Sequence, residues 1–205
     1  AYVSDGFAHA LRFSVNGQEP GTADVTLAAP GRVAVSTSVA FAPEQPRAVA
    51  YGTLSAAGGK RIAGDTVNLH AERDTGFVKG GHRLVEIIVN GEVVDSKMVA
   101  ADGQTHDLMF KVPIRRSGWI AVRQFPQLHT NPVYVIIDQK PVRADRRSAL
   151  WCAESVRLLW KNRRRFIDIQ EQPEAEVAYR TALDRYLRIA QEAEPSTPVN
   201  RFSLE

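Results

Sequence analysis

Apolar and polar residues alternate with a period of two along most of the first two-thirds of the chain, the mark of strands with one buried face. Phe7, Leu11, Phe13 and Val15 fall on odd positions, with His9 among them and Arg12 and Ser14 between. The run stops at Asn16-Gly17, a pair suited to the positive φ angles of a tight hairpin turn. Val33, Val35, Thr37, Val39 and Phe41 repeat the pattern until Pro43 and Pro46 break it. Thr66 to Arg73 reads as another strand. Leu84 to Val89, Asn90-Gly91 and Val93 to Val99 form the strongest hairpin signal. Asp102-Gly103 marks the next turn, and Thr105–Pro113, Trp119–Phe125 and Val133–Ile137 supply three more strands. Short strands at intervals of about 8–12 residues predict an antiparallel β-sandwich. Residues 43–64, rich in Ala, Gly and Pro, read as a long loop with at most one poor strand near Val49–Leu54.

The period changes after Pro141. Ala149, Cys152, Ala153, Val156, Leu159 and Trp160 follow three- and four-residue spacing, and Asp145 or Ser148 can cap the start of that helix. Pro173 opens a second helix, with Glu174 and Glu176 in its first turn and a stripe of Tyr179, Ala182, Leu183, Tyr186 and Ala190. Pro195 and Pro198 end it. The predicted architecture is therefore mainly β: an antiparallel sandwich over residues 1–140, a C-terminal helical hairpin over 141–195, and a tail over 196–205. Neither helix is long enough to be stable alone in water, so both should pack on the sandwich or on a partner.

Composition narrows the classes. Hydrophobic residues make up 44% of 205 and charged residues 24%, which excludes wholesale disorder. No apolar run approaches the roughly 20 residues that span a bilayer, and residues 1–20 read as a loop and a strand rather than a signal peptide. One cysteine, Cys152, rules out an internal disulfide and a cysteine-based zinc site. The net charge of +3 is unevenly spread. Residues 1–139 carry 13 basic and 13 acidic side chains, residues 140–165 carry 9 and 2, and residues 166–205 carry 4 and 8. A basic helix followed by an acidic one can pair antiparallel with complementary charge, although each exposed pair contributes only a few tenths to about 1 kcal/mol.

Candidate chemistry is sparse. The five histidines, His9, His70, His82, His106 and His129, form no His-x-His pair. His70 and Glu72 share a face of a predicted strand, which suits a solvent-facing pair better than a metal site. His106 and Asp107 are adjacent in a strand and so point to opposite faces. There is no Gly-x-Ser-x-Gly elbow, and Gly58-Gly59-Lys60 lacks the rest of a phosphate-binding loop. Cys152 sits on an apolar helical stripe, as a packing residue does. The basic run Arg157, Lys161, Arg163, Arg164 and Arg165 suits a solvated or intrachain-paired helix end better than a nucleic-acid interface, and no nucleic-acid partner is expected. Two polar segments remain: Tyr2-Val3-Ser4-Asp5-Gly6 leading to His9, and Arg123 to Pro132. Such residues can bond backbone groups in a corner between strands or line a surface facing a ligand or second domain.

Four stretches, AYVSDGFAHALRFSVNG at 1–17, VEIIVNGEVV at 85–94, the long run from Trp119 to Cys152 and AYRTALDRY at 178–186, resemble the C-terminal part of CehA/McbA-type metallohydrolases of the PHP superfamily. The Trp119–Cys152 stretch is the most specific. The resemblance implies a domain that follows a catalytic PHP domain, begins within the connecting segment and serves as a piece of a longer protein, with an extracytoplasmic location compatible. In that family the metal-binding His and Asp residues lie upstream, so the chain is expected to hold no catalytic residue, metal or cofactor of its own. Ser4, Asp5 and His9 are expected near the junction, and Arg123, His129, Thr130 and Asn131 as a polar corner, all in structural or docking roles. Its partner would be the upstream catalytic domain, and a homo-oligomer is compatible. Two rivals are a ligand-binding, carbohydrate-type sandwich and a self-sufficient metalloenzyme. The first needs an exposed aromatic platform, and Trp119, Trp151 and Trp160 all sit in patterns that read as buried. The second needs several histidines to converge.

Overall fold

The alternating stretches do form strands, and their apolar phase decides which sheet face is dry. A computed structural model describes residues 1–46, 77–125 and 127–193. In chain order the elements are β1 (Tyr2–Ser4), β2 (Ala8–Val15), β3 (Val25–Leu27), β4 (Gly31–Phe41), β5 (Glu44–Pro46), β6 (Phe77–Lys79), β7 (His82–Val89), β8 (Glu92–Ala100), β9 (Thr105–Ile114), β10 (Gly118–Gln124), β11 (Leu128–Thr130), β12 (Val133–Ile137), α1 (Arg146–Arg163) and α2 (Gln172–Glu192). The chain divides into two units, Ala1–Lys140 and Pro141–Glu205. The predicted strand at Thr66–Arg73, most of the predicted loop and the tail lie outside the described residues. The start of that loop is not loop: β5 pairs with β6 through Glu44↔Lys79, Gln45↔Val78 and Pro46↔Phe77.

The first unit is two sheets around one apolar cluster. The smaller sheet runs β2-β4-β9, with β4 paired along its whole length to β9. The larger has seven strands centred on β10, which pairs on one side with β7 and on the other first with β12 and then with β11. Asn131-Pro132 separates β11 from β12, where proline cannot donate to the ladder. β1 continues the sheet beyond β11, and β3 lies beyond β12. Among the described strands every pairing is antiparallel except β12 with β3. Val35, Val39, Phe41 and Phe110 of one sheet share the cluster with Val85, Ile87, Ile120 and Val135 of the other. Each such side chain contributes about 1.5–3 kcal/mol by leaving water.

One phase expected from the sequence is shifted. Ala8 and Ala10 point inward, then Phe13 and Val15, while Leu11 is 54% exposed. The register slips between Ala10 and Arg12, so Leu11 is the extra residue of a β-bulge. A bulge moves the inward set from even to odd positions, which strict alternation cannot show.

Both Asn-Gly turns form as expected, with Asn16 and Asn90 at φ 46° and 52° and their glycines at 81° and 93°. Asparagine does more here than tolerate positive φ. Asn16 Oδ1 accepts the Ala34 N–H at 2.8 Å and Asn90 Oδ1 accepts the Trp119 N–H at 3.0 Å, so each turn is tied to a neighbouring strand.

In the second unit Asp145 caps α1, its carboxylate accepting the N–H groups of Arg147 and Ser148 at 3.0 Å each. Arg164–Phe166 follows as a 3-10 turn, and Pro173 sits at the start of α2. The helices pair antiparallel: Arg143 ahead of α1 bonds Glu192 at the end of α2, and the Trp160 and Tyr179 rings lie 5.2 Å apart. Among the described residues of this unit the buried ones are Ala149, Ala153, Ala190 and Ala193, small side chains that let helices approach closely. Charge complements across the seam less than expected. Arg157–Glu154 and Arg180–Glu176 pair within their own helices.

The bulge makes a direct prediction. Leu11→Ser should change urea-unfolding stability by less than about 0.5 kcal/mol, whereas Phe13→Ala should cost about 3–5 kcal/mol. Equal losses at the two positions would contradict the assigned phase.

Candidate functional site

Where the chain passes from one sheet to the other, its backbone leaves the ladders and needs other partners. The first such passage is Ser4–Phe7, between β1 and β2. Ser4 Oγ accepts the Gly6 N–H at 2.9 Å and donates to the Ala8 carbonyl. Asp5 Oδ1 accepts the Phe7 N–H at 2.8 Å, closing an Asx-type turn, and Gly6 takes φ 90°. The Phe7 carbonyl accepts the Ala42 N–H, so the same corner holds the exit of β4.

A second loop meets this corner. The Asp5 N–H donates to the Gln127 carbonyl at 3.1 Å, and Gln127 Nε2 donates to Asp5 Oδ2 at 2.9 Å and to Gln45 Oε1 at 2.7 Å. The crossover, the β10–β11 turn and β5 are thus joined by one side-chain amide. Gln45, Gln124, Gln127 and Arg83 are all buried, Arg83 to 1% exposure. Arg83 and Gln124 occupy the inward phase of their strands, Arg83 ahead of Val85 and Ile87 in β7 and Gln124 after Ile120 and Val122 in β10. They end the apolar core with polar side chains.

This cluster is not fully satisfied. Arg83 Nη1 donates to the carbonyls of Gly80 and His82 at 3.2 and 3.3 Å, while its Nε and Nη2 have no partner among the described residues. Gln45 Nε2, Gln124 Oε1 and Gln127 Oε1 are likewise buried without partners among the described residues. Burial pushes the Arg83 pKa below its usual value, and the Asp5 carboxylate pulls it back up. The set is a guanidinium, three amides and the Asp5 carboxylate, with the Ser4 hydroxyl bonded to backbone beside them. It can hydrogen-bond an oxygen and it fixes three chain segments, but it contains no histidine.

The residues singled out from sequence divide between this cluster and other contacts. Ser4 and Asp5 belong to it. Thr130 is buried nearby in sequence and uses Oγ1 to accept the Val122 N–H at 3.0 Å, bridging the irregularity beside Asn131. The Asn131 N–H donates to the Ala1 carbonyl. His9 points away from the core and shares a 3.1 Å hydrogen bond with the Tyr2 hydroxyl. Arg123 lies on the opposite face of β10 from Gln124, where Nε and Nη2 both donate to Glu86 Oε2 at 2.9 and 2.8 Å. His129 pairs in register with Arg123 and is exposed. The polar corner expected from sequence therefore splits across two faces of the sheet, because residues alternate in direction along β10 and β11.

Other candidates resolve similarly. His106 Nε2 bonds Asp102 Oδ1 at 2.9 Å and Asp107 accepts from Ser38 Oγ, so this pair is divided as its strand requires. The Asp102 pKa is lowered first by His106 and then by the Gln104 N–H. Cys152 is half-buried. Trp119 and Trp160 are partly buried, but Trp151, expected inside, is 71% exposed. His70 and Glu72 lie outside the described residues, among which no three His, Cys, Asp or Glu side chains gather to hold a metal. No model of a known protein family matches the chain, and no curated protein matches it.

The Asp5 carboxylate favours the charged form of the buried Arg83, so removing it should cost stability. Asp5→Ala is expected to lower unfolding free energy by about 1–3 kcal/mol, and Arg83→Met in the same background should recover part of the loss. Chemical denaturation of the four proteins of this double-mutant cycle measures the coupling. Strict additivity would contradict the pairing.

Proposed function

We propose that this chain is a noncatalytic accessory domain of a PHP-type metal-dependent hydrolase, packing against and stabilising an upstream catalytic domain. The observation that carries this reading is the state of the junction. Ser4, Asp5 and Thr130 bond inward to backbone or to Gln127, Arg123 is committed to Glu86, and the His9 ring bonds Tyr2. These are the contacts of a scaffold.

The same contacts give the proposed role a mechanical basis. β1 hydrogen-bonds β11 through Tyr2↔Thr130, Val3↔His129 and Ser4↔Leu128, and it ends the path of the larger sheet on that side. An edge strand offers unpaired backbone groups to a neighbour. Tyr2 and Val3 are exposed on it. A domain joined ahead of β1 would meet this edge first and in a fixed orientation, because Asn131 and Gln127 anchor the backbone at Ala1 and Asp5. Hydrolysis by metal-activated water would then be the work of the upstream domain, with this sandwich holding it in shape.

The purified chain incubated with Zn²⁺, Mn²⁺ or Fe²⁺ should show no turnover of carboxylic, carbamic or phosphoric esters. In the joined protein, Val3→Arg should lower the melting temperature of the catalytic domain by several degrees while leaving this sandwich folded. Metal-dependent turnover by the chain alone, abolished in His9→Ala or His129→Ala, would refute the proposal.

A further inference from the structure

The helical hairpin places four of its cations and two of its most exposed apolar side chains at its turn, while Trp151, at 71%, is exposed near the start of α1. From Arg146 to Phe166 there are seven cations and one carboxylate, Glu154, which is bonded to Arg157. Four of the cations, Lys161, Arg163, Arg164 and Arg165, crowd the last turn of α1 and the 3-10 turn after it, and all are exposed. A helix dipole favours cations there. It gives no reason for the apolar residues beside them: Phe166 is 70% and Ile169 74% exposed.

Local bonding holds these groups outward. The Asp168 carbonyl accepts the N–H groups of Glu171 and Gln172 at 2.9 and 3.0 Å, and its Oδ1 accepts that of Gln170 at 2.9 Å. The bend is closed on itself, and Ile169 stands at its tip. The Arg165 guanidinium lies 4.7 Å from the Phe166 ring centre, keeping cation and ring together. Arg164 lies over Trp160 at 5.6 Å. The tip is therefore a pair of exposed apolar side chains with Lys161 and Arg163–Arg165 on one side and the exposed Asp168 and Glu171 on the other, four cations against two carboxylates. That is the arrangement of an interfacial anchor, whose apolar groups enter the acyl boundary while guanidinium groups meet headgroup phosphates.

We propose that the hairpin tip docks peripherally on an anionic phospholipid surface, with Phe166 and Ile169 inserted and Lys161 and Arg163–Arg165 on the phosphates. No described helix is long and apolar enough to cross a membrane, so the attachment is to the surface. Nucleic acid fits less well, since Phe166 is the one well-exposed ring at the tip, Arg165 already lies over it, Ile169 offers none and the Trp160 ring is packed against Tyr179. A second copy also fits less well: α2 has Glu174, Glu176, Asp184 and Glu192 against Arg180, Arg185 and Arg188, too little opposite charge to match this tip. The proposal does not depend on the accessory-domain reading.

Co-sedimentation of the full chain with vesicles tests it. Binding is expected to mixed phosphatidylcholine–phosphatidylglycerol vesicles, to fall with added salt, and to be absent with phosphatidylcholine alone. Arg163→Gln with Arg165→Gln should weaken it about thirtyfold, and Phe166→Ser with Ile169→Ser about tenfold or more. Far-UV circular dichroism must show the helices intact in both variants. If the paired arginine variant loses its helices, Arg165→Gln alone, expected to weaken binding about fivefold, replaces it. No binding to anionic vesicles, equal binding to neutral ones, unchanged binding in folded variants, or binding only to an oligonucleotide offered in parallel would each overturn the proposal.

Discussion

A chain that builds two sheets around one dry core must pass between them at the ends, and there its backbone groups lose their ladder partners. In this protein the end that holds the β1–β2 crossover is closed by Asp5, Gln127 and Gln45, three side chains brought together from positions far apart in sequence. Most of the first unit depends on this closure. It fixes where β1 joins the larger sheet, how β10 turns into β11, and where β5 leaves β4. It also sets Arg83 and the last inward residue of β10, Gln124, against the apolar core, where unmet hydrogen bonds are expensive. The cluster is thus both a fastening and a reservoir of unsatisfied polarity, and Asp5 is the charge that offsets the buried guanidinium.

The two units illustrate different uses of the same materials. In the sandwich, two arginines are committed: Arg83 to backbone carbonyls, Arg123 to Glu86. In the hairpin, Arg163, Arg164 and Arg165 are exposed, as are the apolar residues next to them. Only alanines are fully buried in the described part of the hairpin, so helix pairing alone supplies little hydrophobic stabilisation. The accessory role proposed for the sandwich and the membrane role proposed for the hairpin tip rest on these separate features.

Much of the fold was legible because long strands with a strict period of two leave little choice of face. Val33, Val35, Thr37, Val39 and Phe41 are all buried, and both Asn-Gly turns form. Short strands escaped notice: β1, β3, β5, β6 and β11 have three residues each, too few for a periodic signal. Leu11 was misassigned because a bulge breaks the parity within one strand. Of the site, Asp5 and Ser4 were visible as turn-forming residues. Arg83, Gln45, Gln124 and Gln127 were not singled out, although Arg83 and Gln124 did carry a sign: each is a polar residue at an inward position of an otherwise apolar phase. Their convergence depends on which strands become neighbours, and that information is not local.

Amide hydrogen exchange at the crossover tests the central claim most directly. If the Asp5–Gln127–Gln45 fastening closes the sandwich, the N–H groups of Asp5 and Phe7 should exchange as slowly as those of Val35 and Val39 in β4, through global unfolding. Rapid exchange at Asp5 and Phe7 while β4 stays protected would show that the corner opens freely, and would contradict the account.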